Sequence, residues 1–311
     1  SRELGMNTNR AEYLTHDGVM TSEVSDILIN APKGVFIDAT YGYGSHFKYF
    51  SDTHQHLNFI GFDRDEDAVN NSEKNHKVIY KNFSEINSYF EENNINSISG
   101  IFYDFGVSSH QIDSLHRGFS FQNNSNLDMR MDRSQKLSAQ DVINKYEIND
   151  LINIFFSFGE EQHAKKIASS IIENRPINTT NELVNVIKTA IPRQNPKYTK
   201  NSIRRIFQAI RIEVNNELNE ISTSLDNIKS FIKQGGIMIF LTYHSIEDKI
   251  IKKFIANEVK GCLCDPKFAV CTCKNIAEFK LGKFKKRKPS SFEIKSNPRS
   301  KSAVLRYMVR I

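Results

Sequence analysis

The sequence of 311 residues predicts an α/β fold built on a parallel, doubly wound sheet. Short apolar runs rich in β-branched and aromatic residues alternate with helical patterns over about the first hundred residues. Three of these runs end in an aspartate, at Asp38, Asp63 and Asp104, and the first leads into a pair of glycines, Gly42 and Gly44. Because ligands of such sheets bind at the carboxyl ends of the strands, the same residues predict the position of a site.

The apolar periodicity predicts individual elements of this fold. Four strands are predicted at 34–38, 57–63, 78–83 and 98–104, and a fifth, fully buried strand at 237–242. The clearest helical patterns cover 86–92, 160–174, 206–218 and 221–233. The last of these helices is expected to end at the glycine pair 235–236.

The turn from Gly42 to His46 is the first candidate site. Two glycines there allow backbone conformations that a Cβ disfavours, and the start of the following helix presents free N–H groups. Asp63, at the tip of the second predicted strand, is positioned to accept hydrogen bonds from ribose hydroxyls. The loop lacks both the GxGxxG and the GxxxxGK[ST] patterns, which favours a small adenosine-bearing cofactor over a dinucleotide or a triphosphate. A plain structural turn is the alternative.

Between about 108 and 202 the strand patterns give way to helical ones, which predicts an inserted helical module. Capping-box patterns at Ser138–Asp141 and Thr179–Glu182 mark two of its helices. The predicted organisation is therefore a first part of the sheet domain at 6–108, a helical substrate-recognition domain at 109–204, and a second part of the sheet domain at 205–311.

Positive charge is concentrated at the carboxyl end. Residues 260–311 contain 14 lysine and arginine residues against 3 acidic ones, although the whole chain has a net charge of only +6. This asymmetry indicates either a contact with a polyanion, most commonly nucleic acid, or a solvated, flexible terminus. The sequence shows neither an apolar run long enough to cross a bilayer nor a secretory signal pattern, so a cytoplasmic location is expected without membrane partners.

Seven segments spread over nearly the whole chain add a more specific indication. They are DATYGYGSH at 38–46, DFGVSSHQID at 104–113, RGFSF at 117–121, LDMRMD at 127–132, FQAIR at 207–211, HSIED at 244–248 and NPRSKSA at 297–303. Their order and content resemble the signatures of the RsmH (MraW) family. Members of that family are S-adenosylmethionine-dependent methyltransferases that modify the exocyclic N4 of one cytidine in small-subunit (16S) ribosomal RNA.

The resemblance implies a Rossmann-like methyltransferase sheet with an inserted all-helical domain, and it implies specific cofactor contacts. These contacts, together with the loop glycine Gly42, are Gly44, Ser45, His46, Asp63, Phe83, Asp104 and Gln111. The chain departs from the family pattern at two positions. Ser45 stands where the family usually has a second glycine, and His110 stands where it usually has a proline before the glutamine.

The candidate catalytic residues are Asp104 and Phe105. An acceptor at the end of the fourth strand can orient an amino group for attack, and an aromatic ring can stack on an unpaired base. Capping and core packing are the structural alternatives for the two residues. The predicted RNA contacts are Arg130, Arg133, His244, Lys286, Arg287 and Arg299. A non-catalytic RNA-binding or ribosome assembly factor on the same fold is the main rival function, and a methyltransferase acting on protein or DNA is the second.

The four cysteines of the chain form two CxC pairs, Cys262 with Cys264 and Cys271 with Cys273. Four thiolates suit tetrahedral zinc. Disulfides are disfavoured in the cytosol. The sequence leaves a structural zinc site, reduced free thiols and disulfides open.

Overall fold

The computed structural model describes residues 18–192, 195–262, 264–265 and 267–311. The chain divides into two compact units. The sheet unit comprises the residues up to Gly106 together with Glu220–Ile311, and the helical unit comprises Val107–Asn219. In the described part of the chain, no helix has both the length and the apolar character needed to cross a membrane.

In the described residues of the first unit, seven strands form one sheet. Their bounds are β1 Gly34–Asp38, β2 Leu57–Asp63, β3 Val78–Tyr80, β4 Ile98–Asp104, β5 Ile232–Thr242, β6 Phe279–Leu281 and β7 Val304–Arg310. The strand order is β3-β2-β1-β4-β5-β7-β6. Strands β1 to β5 pair in parallel, whereas β7 is antiparallel to both β5 and β6. The chain winds outward in both directions from the β1/β4 pair, which makes this pair the topological switch point where such sheets bind ligands.

Helices cover both faces of the sheet because its inner strands alternate between two apolar clusters. Phe102 packs into one cluster, and its neighbours Ile101 and Tyr103 pack into the other. The helices of the sheet unit are α1 Thr21–Leu28, α2 Ser45–Thr53, α3 Glu66–Asn70, α4 Ile86–Glu92, α11 Glu217–Ile228, α12 Ser245–Lys260 and α13 Ser291–Ser296, with α11 beginning in the helical unit. Residues of α1 and α2 join the Phe102 cluster, and residues of α4, α11 and α12 join the other.

The helical unit has an apolar core of its own. Its helices are α5 Ser109–Asp113, α6 Ala139–Lys145, α7 Ile148–Ser157, α8 Ala164–Glu173, α9 Thr180–Ala190 and α10 Pro196–Val214. Fully buried side chains such as Phe155, Ile167 and Ile210 form the centre of this core. Both predicted capping boxes are present, with Ser138 and Thr179 accepting the backbone N–H of Asp141 and Glu182.

The structure agrees with the predicted bounds of β1, β2, β4 and α4. The third strand is shorter than predicted and ends at Tyr80, and the helix predicted at 160–174 covers Ala164–Glu173. Larger differences occur at two later elements. The helix predicted at 221–233 ends at Ile228, and β5 begins at Ile232, so the glycine pair 235–236 lies inside a strand. The reason is an irregular register, in which Ile98 pairs with Ile232 but Gly100 pairs with Ile237. Glycine in a strand often marks such an irregularity.

The second difference concerns the end of the helical unit. Helix α10 runs without interruption across residue 204, where the sequence predicts a boundary, and the unit extends to Asn219. The helix stops at Asn215, whose buried side chain accepts the N–H of Met131 at 2.8 Å. The same amide donates to the carbonyl oxygens of Met129 at 2.8 Å and Arg211 at 2.9 Å.

These three hydrogen bonds predict that Asn215 stabilises the helical unit. Replacing it with leucine leaves a buried N–H and a buried carbonyl of the 129–131 segment without partners, which costs about 1–3 kcal/mol for each group. We therefore expect Asn215→Leu to lower the free energy of unfolding by about 2 kcal/mol or more in urea denaturation. Asn149→Leu, the same change at an exposed position of α7, should alter it by less than about 0.5 kcal/mol. Equal stability of the two variants would contradict this role.

Candidate active site

The loop after β1 contains two glycines with positive φ angles. Gly42 has φ 55° and Gly44 has φ 78°, conformations that residues with a Cβ rarely adopt. A Cβ on Gly44 would also collide with the hydroxyl group of Tyr41. That hydroxyl is fixed by a 2.7 Å hydrogen bond to Nδ1 of His76, so the ring cannot easily move aside. Helix α2 starts immediately after the loop, at the half-buried Ser45.

Asp63 lies at the tip of β2 and joins this loop to the neighbouring strand. Its Oδ2 accepts the backbone N–H of Gly42 at 2.8 Å, and its Oδ1 accepts that of Asp65 at 2.8 Å. Burial raises the pKa of Asp63 to about 6, although both amides oppose the shift. Each carboxylate oxygen retains a further lone pair for a ligand hydroxyl.

Asp104 lies at the end of β4, next to β1 in the sheet. Its backbone N–H donates to Oγ1 of Thr40 at 2.7 Å. Its Oδ1 accepts the hydroxyl proton of Tyr243 at 2.5 Å, and its Oδ2 lies 3.6 Å from Nδ1 of His46. Burial raises the pKa of Asp104, while His46 and the Tyr243 hydroxyl act against that shift.

The ring of His46 has a defined orientation. Its Nε2 lies 2.8 Å from the carbonyl oxygen of Val19, and because a carbonyl can only accept, this nitrogen bears the proton. In the neutral ring Nδ1 is therefore an acceptor that faces Asp104. The contact between the two side chains is attractive only when one of them carries an additional proton.

Asp38, at the end of β1, is the most deeply buried carboxyl group of the site. Its Oδ1 accepts the N–H of Thr40 at 3.1 Å, whereas Oδ2 is buried without a hydrogen-bond partner in the described structure. Burial, with further contributions from the charges of Asp104 and Asp63, raises the pKa of Asp38 to about 8. Three strand-end carboxyl groups with raised pKa values therefore lie at the switch point, an arrangement that favours a cationic ligand.

Two aromatic residues follow the strand ends. Phe83 is half-buried in the turn after β3, and its ring centroid lies 5.8 Å from that of Tyr103 and 5.9 Å from that of Phe105. Phe105 is 4% exposed and stacks on Tyr103 at 5.2 Å. The ring of Phe105 is thus part of the core beneath the site, while Phe83 has a partly open face.

His244 occupies the N-cap of α12. Its Nδ1 accepts the N–H of Glu247 at 3.3 Å, and the Glu247 carboxylate in turn accepts the N–H groups of Tyr243 and His244. The His244 Nε2 also lies 3.1 Å from Oε2 of Glu247. This reciprocal capping box fixes the start of α12 and, through it, the backbone of Tyr243.

The helical unit contains the other predicted cofactor and RNA residues. Gln111 is buried and forms a capping box with Ser108 at the start of α5. The guanidinium group of Arg130 binds Asp128 at 2.7 Å and the carbonyl oxygens of Arg133 and Gln135. The side chain of Arg133 is exposed.

Arg117, from the RGFSF segment, has a structural position in the same unit. Its side chain is 1% exposed, and its Nη2 donates to the carbonyl oxygens of Arg130 and Met131 at 3.0 Å each. The two most family-specific segments, 117–121 and 127–132, are therefore tied to each other inside the helical unit.

The basic carboxyl end forms an ordered surface in the described residues. Lys286, Arg287 and Arg299 are all exposed. Arg287 exchanges two 2.9 Å backbone hydrogen bonds with Leu305 of β7, and its guanidinium carbon lies 4.7 Å from the centroid of the Phe284 ring. The four cysteines lie together between α12 and β6.

Sequence motifs located the strand ends but not all the contacts made there. They did not indicate that Tyr243 donates to Asp104 or that Thr40 accepts from its backbone, because both contacts join residues distant in the sequence. Asp38 was visible only as a strand end. An aspartate directly after a buried β-branched run, facing two further strand-end aspartates, is the signal that could have identified it.

The residues of the sheet unit fit a cofactor with an adenosine group and a cationic end. The glycine loop adopts positive φ angles next to the start of helix α2, and Asp63 keeps lone pairs for hydroxyl groups. The unpartnered Oδ2 of Asp38 can accept from an ammonium group. These features of the site are explained by such a cofactor alone.

Comparison with known proteins identifies the family of the chain. Residues 13–311 match the model of the MraW methylase family. Proteins named ribosomal RNA small subunit methyltransferase H are similar to the chain: the one from Caldicellulosiruptor saccharolyticus is 40% identical and the one from Clostridioides difficile 39%, each with 95% of this chain and 99% of the relative covered. The protein of that name from Mycoplasmopsis synoviae is 41% identical, with 95% and 98% covered. These matches confirm the resemblance found in the sequence, and the chain belongs to the MraW methylase family.

Proposed function

We propose that this protein is a cytoplasmic S-adenosylmethionine-dependent methyltransferase that methylates the exocyclic N4 of a specific cytidine in 16S ribosomal RNA of the small ribosomal subunit. The observation that supports this most strongly is the group of three carboxyl groups with raised pKa values around a glycine loop at the switch point of the sheet. The names of its relatives supply the substrate class, and the signature segments supply the position of the methyl group.

The predicted cofactor-binding residues of the sheet unit are assigned to different parts of S-adenosylmethionine. Gly42, Gly44, Ser45 and His46 enclose the amino acid part of the cofactor, while Asp63 accepts hydrogen bonds from the ribose hydroxyls. Phe83 contacts the adenine ring with its open face. For Gln111, in the helical unit, the cofactor contact is the one that the family resemblance implies. When bound, S-adenosylmethionine supplies an electrophilic methyl group on a positively charged sulfur.

The protein promotes transfer mainly by alignment. The lone pair of a cytosine amino group is delocalised into the ring, so the nitrogen is a poor nucleophile. Holding it in line with the methyl group can lower the barrier by about 7–11 kcal/mol. We assign this task to Asp104, whose carboxylate accepts a hydrogen bond from the amino group. The hydroxyl group of Tyr243 fixes the orientation of that carboxylate.

Proton transfer completes the proposed reaction. The amino group becomes acidic only as the new N–C bond forms, so no strong base is needed at the start. The raised pKa of Asp104 suits its Oδ2 to receive this proton. The buried ring of Phe105, stacked on Tyr103, supports the strand end from below.

The RNA contacts are assigned to exposed basic residues. Lys286, Arg287 and Arg299 lie on the surface of the sheet unit, and Arg133 on that of the helical unit. The side chain of Arg130 stabilises its own loop through hydrogen bonds to Asp128 and Gln135. Its assigned contact with RNA is made in addition to these bonds. The RNA contact of His244 stays a prediction from the sequence, because its Nε2 is buried beside Glu247 and its Nδ1 caps helix α12.

The assigned role of Asp104 can be tested by substitution. Asp104→Ala should reduce turnover at saturating cofactor by about 100-fold or more, since it removes both the orienting acceptor and the proton acceptor. The measurement is methyl transfer from labelled S-adenosylmethionine to unmethylated small ribosomal subunits and to naked 16S rRNA, followed by nucleoside mass spectrometry. Asp52→Ala, an exposed aspartate on α2, is the matched control and should leave turnover unchanged.

Three outcomes of this assay are informative. A methylated cytidine formed by the unmodified protein but not by Asp104→Ala supports the proposal in full. Full turnover by Asp104→Ala would exclude Asp104 from catalysis. Cofactor binding without transfer to any RNA substrate would favour the non-catalytic RNA-binding factor.

A further prediction concerns salt. Removing one cation that neutralises an RNA phosphate should reduce the slope of log affinity against log salt concentration by about 0.7–0.9. We expect the double variant Lys286→Ala/Arg287→Ala to weaken RNA binding at low salt and to lower this slope by nearly twice that amount. Lys48→Ala removes a positive charge that is paired with Glu73, so it should leave the slope unchanged. A slope that is the same for all three proteins would refute the assignment.

A further inference from the structure

The segment between α12 and β6 brings together all four cysteines of the chain. The Sγ atom of Cys271 lies 3.3 Å from that of Cys262, 4.0 Å from that of Cys264 and 3.5 Å from that of Cys273. Cys273 and Cys262 are 3.9 Å apart at sulfur, and all four atoms lie within 4.8 Å of one another. A disulfide requires sulfur atoms about 2.05 Å apart, so none of these pairs is bonded.

These separations are those of a metal–thiolate tetrahedron. A zinc ion lies about 2.3 Å from each cysteine sulfur, which places sulfur atoms at the corners of a regular tetrahedron about 3.8 Å apart. The four measured distances lie on both sides of that value. All four corners are protein ligands, which is typical of a structural and not a catalytic zinc site.

Thr272 contacts the sulfur atom of Cys264 through its backbone and its side chain. The N–H of Thr272 donates to Sγ of Cys264 at 3.4 Å, and the Thr272 hydroxyl lies 3.7 Å from the same atom. Donors of this kind stabilise the negative charge of a thiolate and orient it as a ligand. At the base of the loop, the side-chain amide of Asn275 donates to the carbonyl oxygen of Gly261 at 2.5 Å.

The segment has no apolar core that could hold this shape. None of its described residues from 261 to 278 is buried. Its large apolar side chains point outward, with Phe268 68%, Val270 72% and Ile276 82% exposed. Ordering a residue costs about 1–2 kcal/mol in backbone entropy, and little burial is available here to offset that cost. A bound metal ion is the usual substitute for a core in such a small element.

From these observations we propose that Cys262, Cys264, Cys271 and Cys273 bind one structural zinc ion as thiolates. Binding releases the thiol protons to solvent and changes no oxidation state. The ion fixes the loop between α12 and β6 and so holds Lys267 and Phe268 at a defined place on the surface. Thiolate ligands also suit iron, and zinc is assigned because the site is closed and needs no redox chemistry.

Metal content tests the proposal directly. The full-length protein, purified under reducing conditions without chelator and supplied with zinc salt, is desalted and analysed by elemental mass spectrometry. We expect about one zinc per chain. Cys271→Ser and Cys264→Ser should lose most of it, whereas Phe268→Ser, in the same loop with all four thiols intact, should keep it. Replacement by Co²⁺ should give the visible absorption of tetrahedral thiolate coordination.

Hydrogen exchange gives a readout that does not depend on the variants. Removal of the metal by chelator should increase exchange in peptides covering 261–278 and leave β5 unchanged. Protein without bound metal whose four thiols react rapidly with a thiol reagent in the native state would overturn the site. One equivalent of iron in place of zinc would overturn the metal assignment.

Discussion

The fold places negative charge where it is least well solvated. In a parallel sheet the carboxyl ends of neighbouring strands meet at one edge, and here three of the innermost strands end in aspartate. Burial disfavours the ionised form of each group, and the charges of Asp104 and Asp63 further disfavour that of Asp38. The surrounding elements largely serve to hold these carboxyl groups in position. The glycine loop supplies an amide to Asp63, Tyr243 supplies a hydroxyl to Asp104, and the cap of α12 fixes the Tyr243 backbone.

Two signature residues bind parts of the protein itself. Arg117 binds the 129–131 segment, as does Asn215 from outside the signature segments, and Arg130 binds the turn that follows it. A sequence motif can therefore be characteristic of a family because it stabilises the fold, and not because it contacts the substrate. In this protein such a motif ties segments of the helical unit together.

The sequence predicted the sheet well because its strands are short, apolar and bounded by clear turns. The bounds of β1, β2 and β4 agree with the pattern, and the site residues at their ends follow from topology. Prediction was poorer where a distant contact decides the structure. Asn215 ends α10 because of hydrogen bonds to residues more than 80 positions earlier, and Gly235 and Gly236 lie in a strand because of the register with β4. Local sequence propensity predicts neither the end of α10 nor the position of the two glycines.

The central claim is that the carboxyl edge of the sheet is prepared for a cation. Binding of S-adenosylmethionine should then favour the ionised form of Asp38, whose pKa in the free protein is about 8, and release a proton. Calorimetry between about pH 5.5 and 7.5, below the titration of the ligand's own amino group, measures this directly. The account predicts that affinity rises with pH by up to about tenfold per unit, and that Asp38→Asn flattens the rise. An affinity independent of pH in the unmodified protein, with no proton released, would contradict it.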